Sequence, residues 1–374
     1  MAKRVFNFSA GPATLPPSVL AEAQRGVAEL NGLGMSILEI SHRSKGFEAV
    51  LAEAKSLLSE LLGIGPNYKT LFLQGGSSLQ FSMLPMNLLR GTGRTADYIL
   101  TGTWGTKAFQ EAPREGTARA AWDGKSVNYS HLPAAGDIKL SSDAAYVHMT
   151  ANETIQGVEF TGEPETGSAP LVCDASSNFL SRPIDVDRYG MIYACAQKNA
   201  GISGVTVVII RDDLLDRVPK GLPPMLDYKL QADNDSLYNT PPTFAIYVLM
   251  LVARWLKNEV GGLEKMAAVN REKAKLLYDV IDKNSDFYRG HARADSRSQM
   301  NVTWRLPSED LEAALVKQAQ ARGMVDLKGH RSVGGLRASI YNAMSREGVV
   351  ALRDLLLEFH EQHAGAAAGQ AKSS

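Results

Sequence analysis

Residues 193–204 read YACAQKNAGISG, an apolar strand pattern that delivers one amine, Lys198, into a stretch rich in Gly, Ala and Ser. A charged amine between two buried-strand patterns costs free energy unless it is used or neutralised. Desolvation favours the neutral, nucleophilic amine, the form that attacks a carbonyl to give an imine. Asp174 ends the apolar run APLVCD, and open α/β sheets bind ligands at the C-terminal ends of their strands. Gly75-Gly76-Ser77-Ser78 follows a strand pattern and opens a helical one. Its backbone N–H groups and the helix dipole are suited to a phosphate. Trp104 follows Thr101-Gly102-Thr103 at another strand end, where its face could stack on a planar ring. Asn239-Thr240 stand before Pro241-Pro242, with polar side chains on a stiff turn. Basic residues form two clusters, Ser41-His42-Arg43 and Lys328-Gly329-His330-Arg331, the second followed by Arg337 in a strand pattern. Arginine forks match both carboxylate and phosphate.

Singly, each of these has a plainer reading. Lysines and His-Arg pairs are mostly surface charge. Asp174 can cap a turn, the Gly-Gly-Ser-Ser run is also an ordinary strand-to-helix turn, Trp104 alone reads as core, and Asn239-Thr240 can cap the next helix. Together they suit pyridoxal 5'-phosphate (PLP). The lysine forms an imine with the cofactor, the aspartate keeps the pyridine nitrogen protonated so that the ring accepts electrons, and the turn holds the phosphate. Once displaced, the lysine is free to act as the proton-transfer base.

These residues need a sheet to hold them. Short apolar runs alternate with helical patterns from residue 70 through the β-branched run GVTVVIIRDDLL. That alternation predicts an α/β fold with a mostly parallel sheet covered on both faces. After residue 262 the pattern changes to a long helix (263–284), a strand (300–305), a helix (308–322), a strand (335–341) and a last helix (346–363). This predicts a small α+β domain with an antiparallel sheet. The expected division is an N-terminal arm at 1–15, a large domain at 16–262, a small domain at 263–364 and a disordered tail at 365–374.

Composition narrows the classes of function. Forty basic and forty acidic residues cancel, which speaks against nucleic-acid or membrane-surface binding. Cys173 and Cys195 lie in apolar stretches and form neither a zinc-ligand pattern nor a disulfide framework. Buried thiols in a reducing cytoplasm and no metal site are expected. The N-terminus lacks a continuous apolar segment of the secretory kind. The most apolar helical run, residues 245–253, is too short to cross a bilayer and reads as a core helix.

Several segments, in order, resemble the phosphoserine aminotransferase family, a class-V branch of the fold-type I PLP enzymes. They include FNFSAGPATLP, NGLGMSILEISHRS, LFLQGGSSLQF, ANETIQGVEF, DASSNFLSRPIDVDRYGMIYACAQKN, LYNTPPTFAIY and GHRSVGGLRASIYNAM, and they cover almost the whole chain. The resemblance implies a large domain with a seven-stranded sheet and a small C-terminal domain. It implies that Lys198 carries PLP, with Gln197 on its phosphate side, and that Asp174 partners the pyridinium. Trp104 would stack on the ring, Thr154 would lie near the phenolic oxygen, and Ser77 and Ser78 would hold the phosphate. Asn239 and Thr240 would reach the phosphate from a second subunit, implying a homodimer with active sites at the subunit interface. Arg337, helped near Ser9, would hold the substrate α-carboxylate, and His42, Arg43, His330 and Arg331 the phosphate or distal carboxylate. The implied reaction exchanges an amino group between glutamate and 3-phosphohydroxypyruvate, giving phosphoserine for serine biosynthesis. The related phosphohydroxythreonine pair of pyridoxine biosynthesis is also implied. Two departures bear on the substrate: Ser78 stands where some members carry arginine, and Cys195 replaces a smaller residue.

Two rival readings remain on the residues alone: another PLP enzyme, either a cysteine desulfurase or an alanine–glyoxylate-type transaminase, and a non-catalytic binding protein. A cysteine desulfurase needs a mobile nucleophilic cysteine, whereas both cysteines here lie in apolar strand patterns. An alanine–glyoxylate-type transaminase has no need of two His-Arg clusters. A non-catalytic binding protein has no need of Lys198, Asp174 and Arg337 together.

Overall fold

The computed structural model describes residues 4–370. Seven strands form the central sheet: β1 (Tyr68–Leu73), β2 (Thr95–Leu100), β3 (Thr117–Asp123), β4 (Ala144–Thr150), β5 (Leu171–Asp174), β6 (Met191–Cys195) and β7 (Thr206–Arg211). Their spatial order is β1-β7-β6-β5-β4-β2-β3, and only β7 runs against the others. Most of these strands are buried along their length because helices cover both faces, the arrangement that turns alternation into continuous apolar runs. Side chains still alternate across the sheet. Ile99, Met149, Cys173 and Ile192 join the core on one face; Tyr98, Tyr146, Val172 and Tyr193 join the core on the other.

Helices α1 (Pro17–Ala28), α2 (Lys45–Leu62) and α5 (Thr243–Trp255) pack together through the first core. Helices α3 (Gly76–Leu88) and α4 (Thr103–Glu111) pack on the second. Helix α5 is buried from Ala245 through Ala253, so the apolar run is a core helix. Among the described residues no helix is long and apolar enough to cross a membrane.

The C-terminal part has its own core around Trp304, Leu277, Leu352 and Phe359. Its antiparallel sheet joins β8 (Arg289–Gly290), β9 (Asn301–Arg305) and β10 (Leu336–Ser339). Helices α6 (Leu263–Lys283), α7 (Glu309–Ala321) and α8 (Arg346–Gln370) cover it. The N-terminal segment belongs to this part: Phe6–Asn7 pairs in parallel with Met324–Val325, and Phe8 is fully buried in its core. Helix α8 runs through Gln370, into the stretch 365–374 expected as a tail. Residues 366–368 are three alanines, and alanine is the strongest helix former. Residues 371–374 lie outside the described residues.

A buried polar cluster built on Lys273 links the two parts through Asn342. Lys273 Nζ on α6 donates to the carbonyls of Ile340, Tyr341, Asn342 and Met344 at 2.8–3.3 Å. Asn342 in turn donates to Leu180 O and, through its backbone N–H, to Asn199 Oδ1, one residue from Lys198. Burial pulls the Lys273 ammonium down to about 7. A Lys273→Met protein leaves those carbonyls without their donor and should lose about 3 kcal/mol of stability. A urea midpoint unchanged from wild type would show that the carbonyls find other donors.

Candidate active site

The C-terminal ends of the parallel strands surround a cavity of about 420 Å³. It brings together nine of the residues singled out above: Ser77, Ser78, Trp104, Thr154, Asp174, Gln197, Lys198, His330 and Arg337. Each comes from a different local device. Ser77 and Ser78 open α3, after Gly75 and Gly76 turn the chain with φ of 84° and 65°. A side chain at either glycine would be strained in that left-handed region. Trp104 is in the first turn of α4, so it lies at the cavity wall and not in the core as it reads alone. Asp174 ends β5. Lys198 lies in the short connection from β6 to β7, which needs no crossover helix because the two strands are antiparallel.

Lys198 Nζ donates to Thr154 Oγ1 at 2.8 Å and Ser177 Oγ at 2.7 Å, and stands 5.7 Å from the Trp104 ring centroid. Asp174 is buried, and burial raises its carboxyl above the ordinary value. Hydrogen bonds from Ser176, including its N–H at 2.9 Å, and the charge of Lys198 oppose that rise. Ser77 Oγ meets Ser176 Oγ at 2.6 Å, linking the helix start to the strand end. Arg337 on β10 is half-buried, with one guanidinium nitrogen 3.5 Å from Thr154 O and its buried Nε unpartnered. Desolvation lowers its pKa. His330 is lowered too, first by burial and then by the positive charges of Arg337, Arg331 and Lys107. His330 and Arg337 thus bring two basic side chains to the cavity wall.

Six expected residues are not in the cavity wall. Ser9 is one step removed, since its neighbours Ala10 and Gly11 line the cavity and its Oγ accepts from Gly11 N at 3.5 Å. Arg331 is exposed and faces a groove with Glu309, Asp310 and Lys317. His42 and Arg43 hydrogen-bond to each other at 3.3 Å on the surface. Asn239 and Thr240 lie on a surface turn tethered by Gln74 Nε2 to Thr240 O; neither side chain caps α5.

Other residues in the site have weaker sequence signals. Thr150 ends β4 opposite Asp174 and lines the cavity, and its buried Oγ1 has no partner. Ser176 and Ser177 stand two and three residues after Asp174, and that proximity is the local clue to them. Cys195 is a buried free thiol, as its apolar run suggests, but it also lines the cavity. Among the described residues no group of three His, Cys, Asp or Glu is placed to hold a metal.

The residues present fit PLP. A primary amine, a buried carboxylate, a flat indole and an open helix N-terminus converge on one cavity. Thr150 Oγ1 and Arg337 Nε remain there as buried polar atoms without partners, and such atoms call for a ligand.

Comparison with known proteins places the chain in a family. The model of the class-V aminotransferase family matches residues 5–352. A phosphoserine aminotransferase of Rhodopirellula baltica is 55% identical over 96% of this chain and 95% of its own. That of Lysinibacillus sphaericus is 50% identical over 97% of this chain and 100% of its own. The solved phosphoserine aminotransferase from Bacillus circulans subsp. alkalophilus superposes with a TM-score of 0.94 at 51% identity, covering 96% of this chain and 99% of that one. A PLP-bound phosphoserine aminotransferase from Trichomonas vaginalis gives 0.89 at 43% identity, over 94% and 99% of the two chains. The chain belongs to the class-V aminotransferases, within them to the phosphoserine aminotransferase family, and has the fold-type I architecture of those enzymes.

Proposed function

We propose that the chain catalyses reversible amino transfer between glutamate and 3-phosphohydroxypyruvate, giving 2-oxoglutarate and O-phospho-L-serine. The observation that carries this reading is the convergence of Lys198, Asp174 and the α3 N-terminus in one cavity whose mouth holds Arg337 and His330. Relatives named phosphoserine aminotransferase, 50–55% identical over nearly the full length, support the substrate.

Lys198 would hold PLP, and Ser77, Ser78 and Gln197 would receive its phosphate at the helix N-terminus. Asp174 would face the ring nitrogen, Trp104 would cover the ring, and Thr154 would lie beside its phenolic oxygen. When bound, PLP supplies an electron-accepting ring and a carbonyl carbon through which the amino group is exchanged. Lys198, once free, would be the base that takes the proton from the substrate α-carbon. Arg337 binds the α-carboxylate and orients it. His330 and its basic neighbours attract the second anion, a phosphate or the distal carboxylate of glutamate.

The remaining predicted residues fit a homodimer. Exposed apolar side chains accompany them: Leu33, Met35 and Leu38 precede His42-Arg43, and Tyr238 precedes Asn239-Thr240. Leu38 is 59% exposed, an apolar surface that a second copy would cover. His42, Arg43, Asn239 and Thr240 would then reach the partner's cavity. Sedimentation should give a dimer, and Leu38→Asp should shift it towards monomer with weaker cofactor retention. A wild-type monomer that binds PLP fully would end this part of the proposal. The two buried free thiols fit a reducing cytoplasm.

The test of the substrate is a half-reaction. Phosphoserine and glutamate should each convert the cofactor's absorption band at micromolar to millimolar concentration, and alanine should do so at least about 100-fold less efficiently, since it lacks the second anion. Equal conversion by alanine would remove the phosphate assignment. 4-Phosphohydroxy-L-threonine carries the same two anions and should also react.

A further inference from the structure

Glu153 is fully buried, and the chemistry above does not use it. It sits on a short hairpin in which Asn152–Glu153 pairs with Val158–Glu159. Its carboxylate reaches across to the first turn of α4. Oε2 accepts from the backbone N–H of Trp104 at 3.0 Å and Oε1 from that of Gly105 at 2.8 Å. These are free N–H groups of a helix start, where negative charge is stabilised by the dipole. Gly102 allows the approach, because a Cβ there would come within 2.5 Å of Glu153 Cδ. Gln156, from the same hairpin, adds a second grip. Its Nε2 donates to Thr103 Oγ1 at 2.8 Å, and its Oε1 accepts from Thr103 N at 3.3 Å. Between them the two side chains hold three consecutive residues, with Trp104 in the middle.

The hairpin is itself fixed on its other side. Gln156 O accepts from Thr303 Oγ1 at 3.0 Å, and Asn152 Nδ2 donates to Asn301 Oδ1 at 2.7 Å, both on β9. Its turn carries Thr154, which accepts from Lys198 Nζ. One short segment therefore sets the positions of the amine and of the indole relative to each other.

We propose that Glu153 is a positioning residue for the cofactor: it anchors the first turn of α4 so that the Trp104 indole is held as one wall of the PLP site. This rests on the PLP reading above. A buried carboxylate is a costly anchor. Desolvation raises it to about 7, while the N–H groups of Gly105 and Trp104 oppose that rise. The free energy spent on burying it yields an orientation that a neutral side chain with a single acceptor could not fix, since both oxygens are engaged.

The experiment is a double-mutant cycle on PLP binding to the apo-protein, read by absorption and by the visible circular dichroism of the bound cofactor. Glu153→Gln keeps one acceptor and nearly the same shape; it should raise the PLP Kd about tenfold, the effect of losing a charged hydrogen bond. In a Trp104→Ala background the same change should do almost nothing, because no ring remains to be placed. Gln156→Ala tests the other grip. It should show a smaller loss that also vanishes with Trp104→Ala, and it carries the test if Glu153→Gln does not accumulate folded. Losses that add in full in the double variants would overturn the proposal, as would an unchanged Kd in Glu153→Gln. A wild-type protein that failed to bind PLP would instead remove the cofactor reading, and this inference with it.

Discussion

Replacing Lys198 by alanine should lower kcat about ten-thousandfold while the protein still binds PLP, because the substitution removes both the covalent tether and the proton-transfer base. The amine is set up for both tasks. It is half-buried, oriented by Thr154 and Ser177 at 2.8 and 2.7 Å, and carried on a connection clamped between two hydrogen-bonded strands. Alanine removes the amine without disturbing those strands, since the flanking backbone pairs remain. Borohydride treatment followed by mass spectrometry separates the two roles. Wild-type protein should retain the cofactor's mass on the peptide containing Lys198, and the variant should not. Methylamine added to the variant should restore part of the rate by supplying a diffusible amine. Turnover above about a tenth of wild type without added amine would sink the assignment of Lys198 as the base.

Asp174→Asn is expected to lower kcat about a thousandfold, with a much smaller change in PLP affinity. The substitution keeps the side chain's size and an acceptor for the Ser176 N–H; what it removes is the charge. Asp174 lies beneath the cavity in a buried setting where charge acts strongly, and Lys198 stabilises its ionised form. An asparagine oxygen cannot hold a proton on the ring nitrogen as a carboxylate does. The signature is a fall in kcat that raising the substrate concentration does not recover. If Asp174→Asn kept more than about a tenth of the wild-type kcat, the carboxylate would be a structural cap and no more.

The residues that were legible in the sequence share a physical property: their places in the fold follow from local chain context. Asp174 and Lys198 stand at the ends of apolar runs, and strand ends in an open sheet converge on one edge. Gly75-Gly76 must turn the chain before α3 whatever else the protein does. The small domain's helices and strands were visible as changes in period. What was not legible depends on direction in space. Nothing in GVTVVIIRDD indicates that β7 runs against its neighbours. Arg331 and His330 are adjacent, yet only His330 turns to the cavity. Thr150 and Glu153 are unremarkable in composition and acquire meaning from residues brought near by the fold, Asp174 for one and the start of α4 for the other. The N-terminal arm's pairing involves two residues on each side, too few for any periodicity to register.

That arm has a consequence for how the molecule is made. Phe6–Asn7 pairs with Met324–Val325, and Ala10 O accepts from Tyr341 Oη across a separation of 331 residues. Ala10 and Gly11 also line the cavity. During synthesis Phe6–Asn7 therefore waits for Met324–Val325 to be made before it can dock, and the cavity stays open on that side meanwhile. Contacts of such long sequence separation form late. A nascent chain halted before Met324 would leave Phe6–Asn7 without its partner strand and the cavity incomplete on that side, so full capture of the cofactor has to wait for this part of the chain.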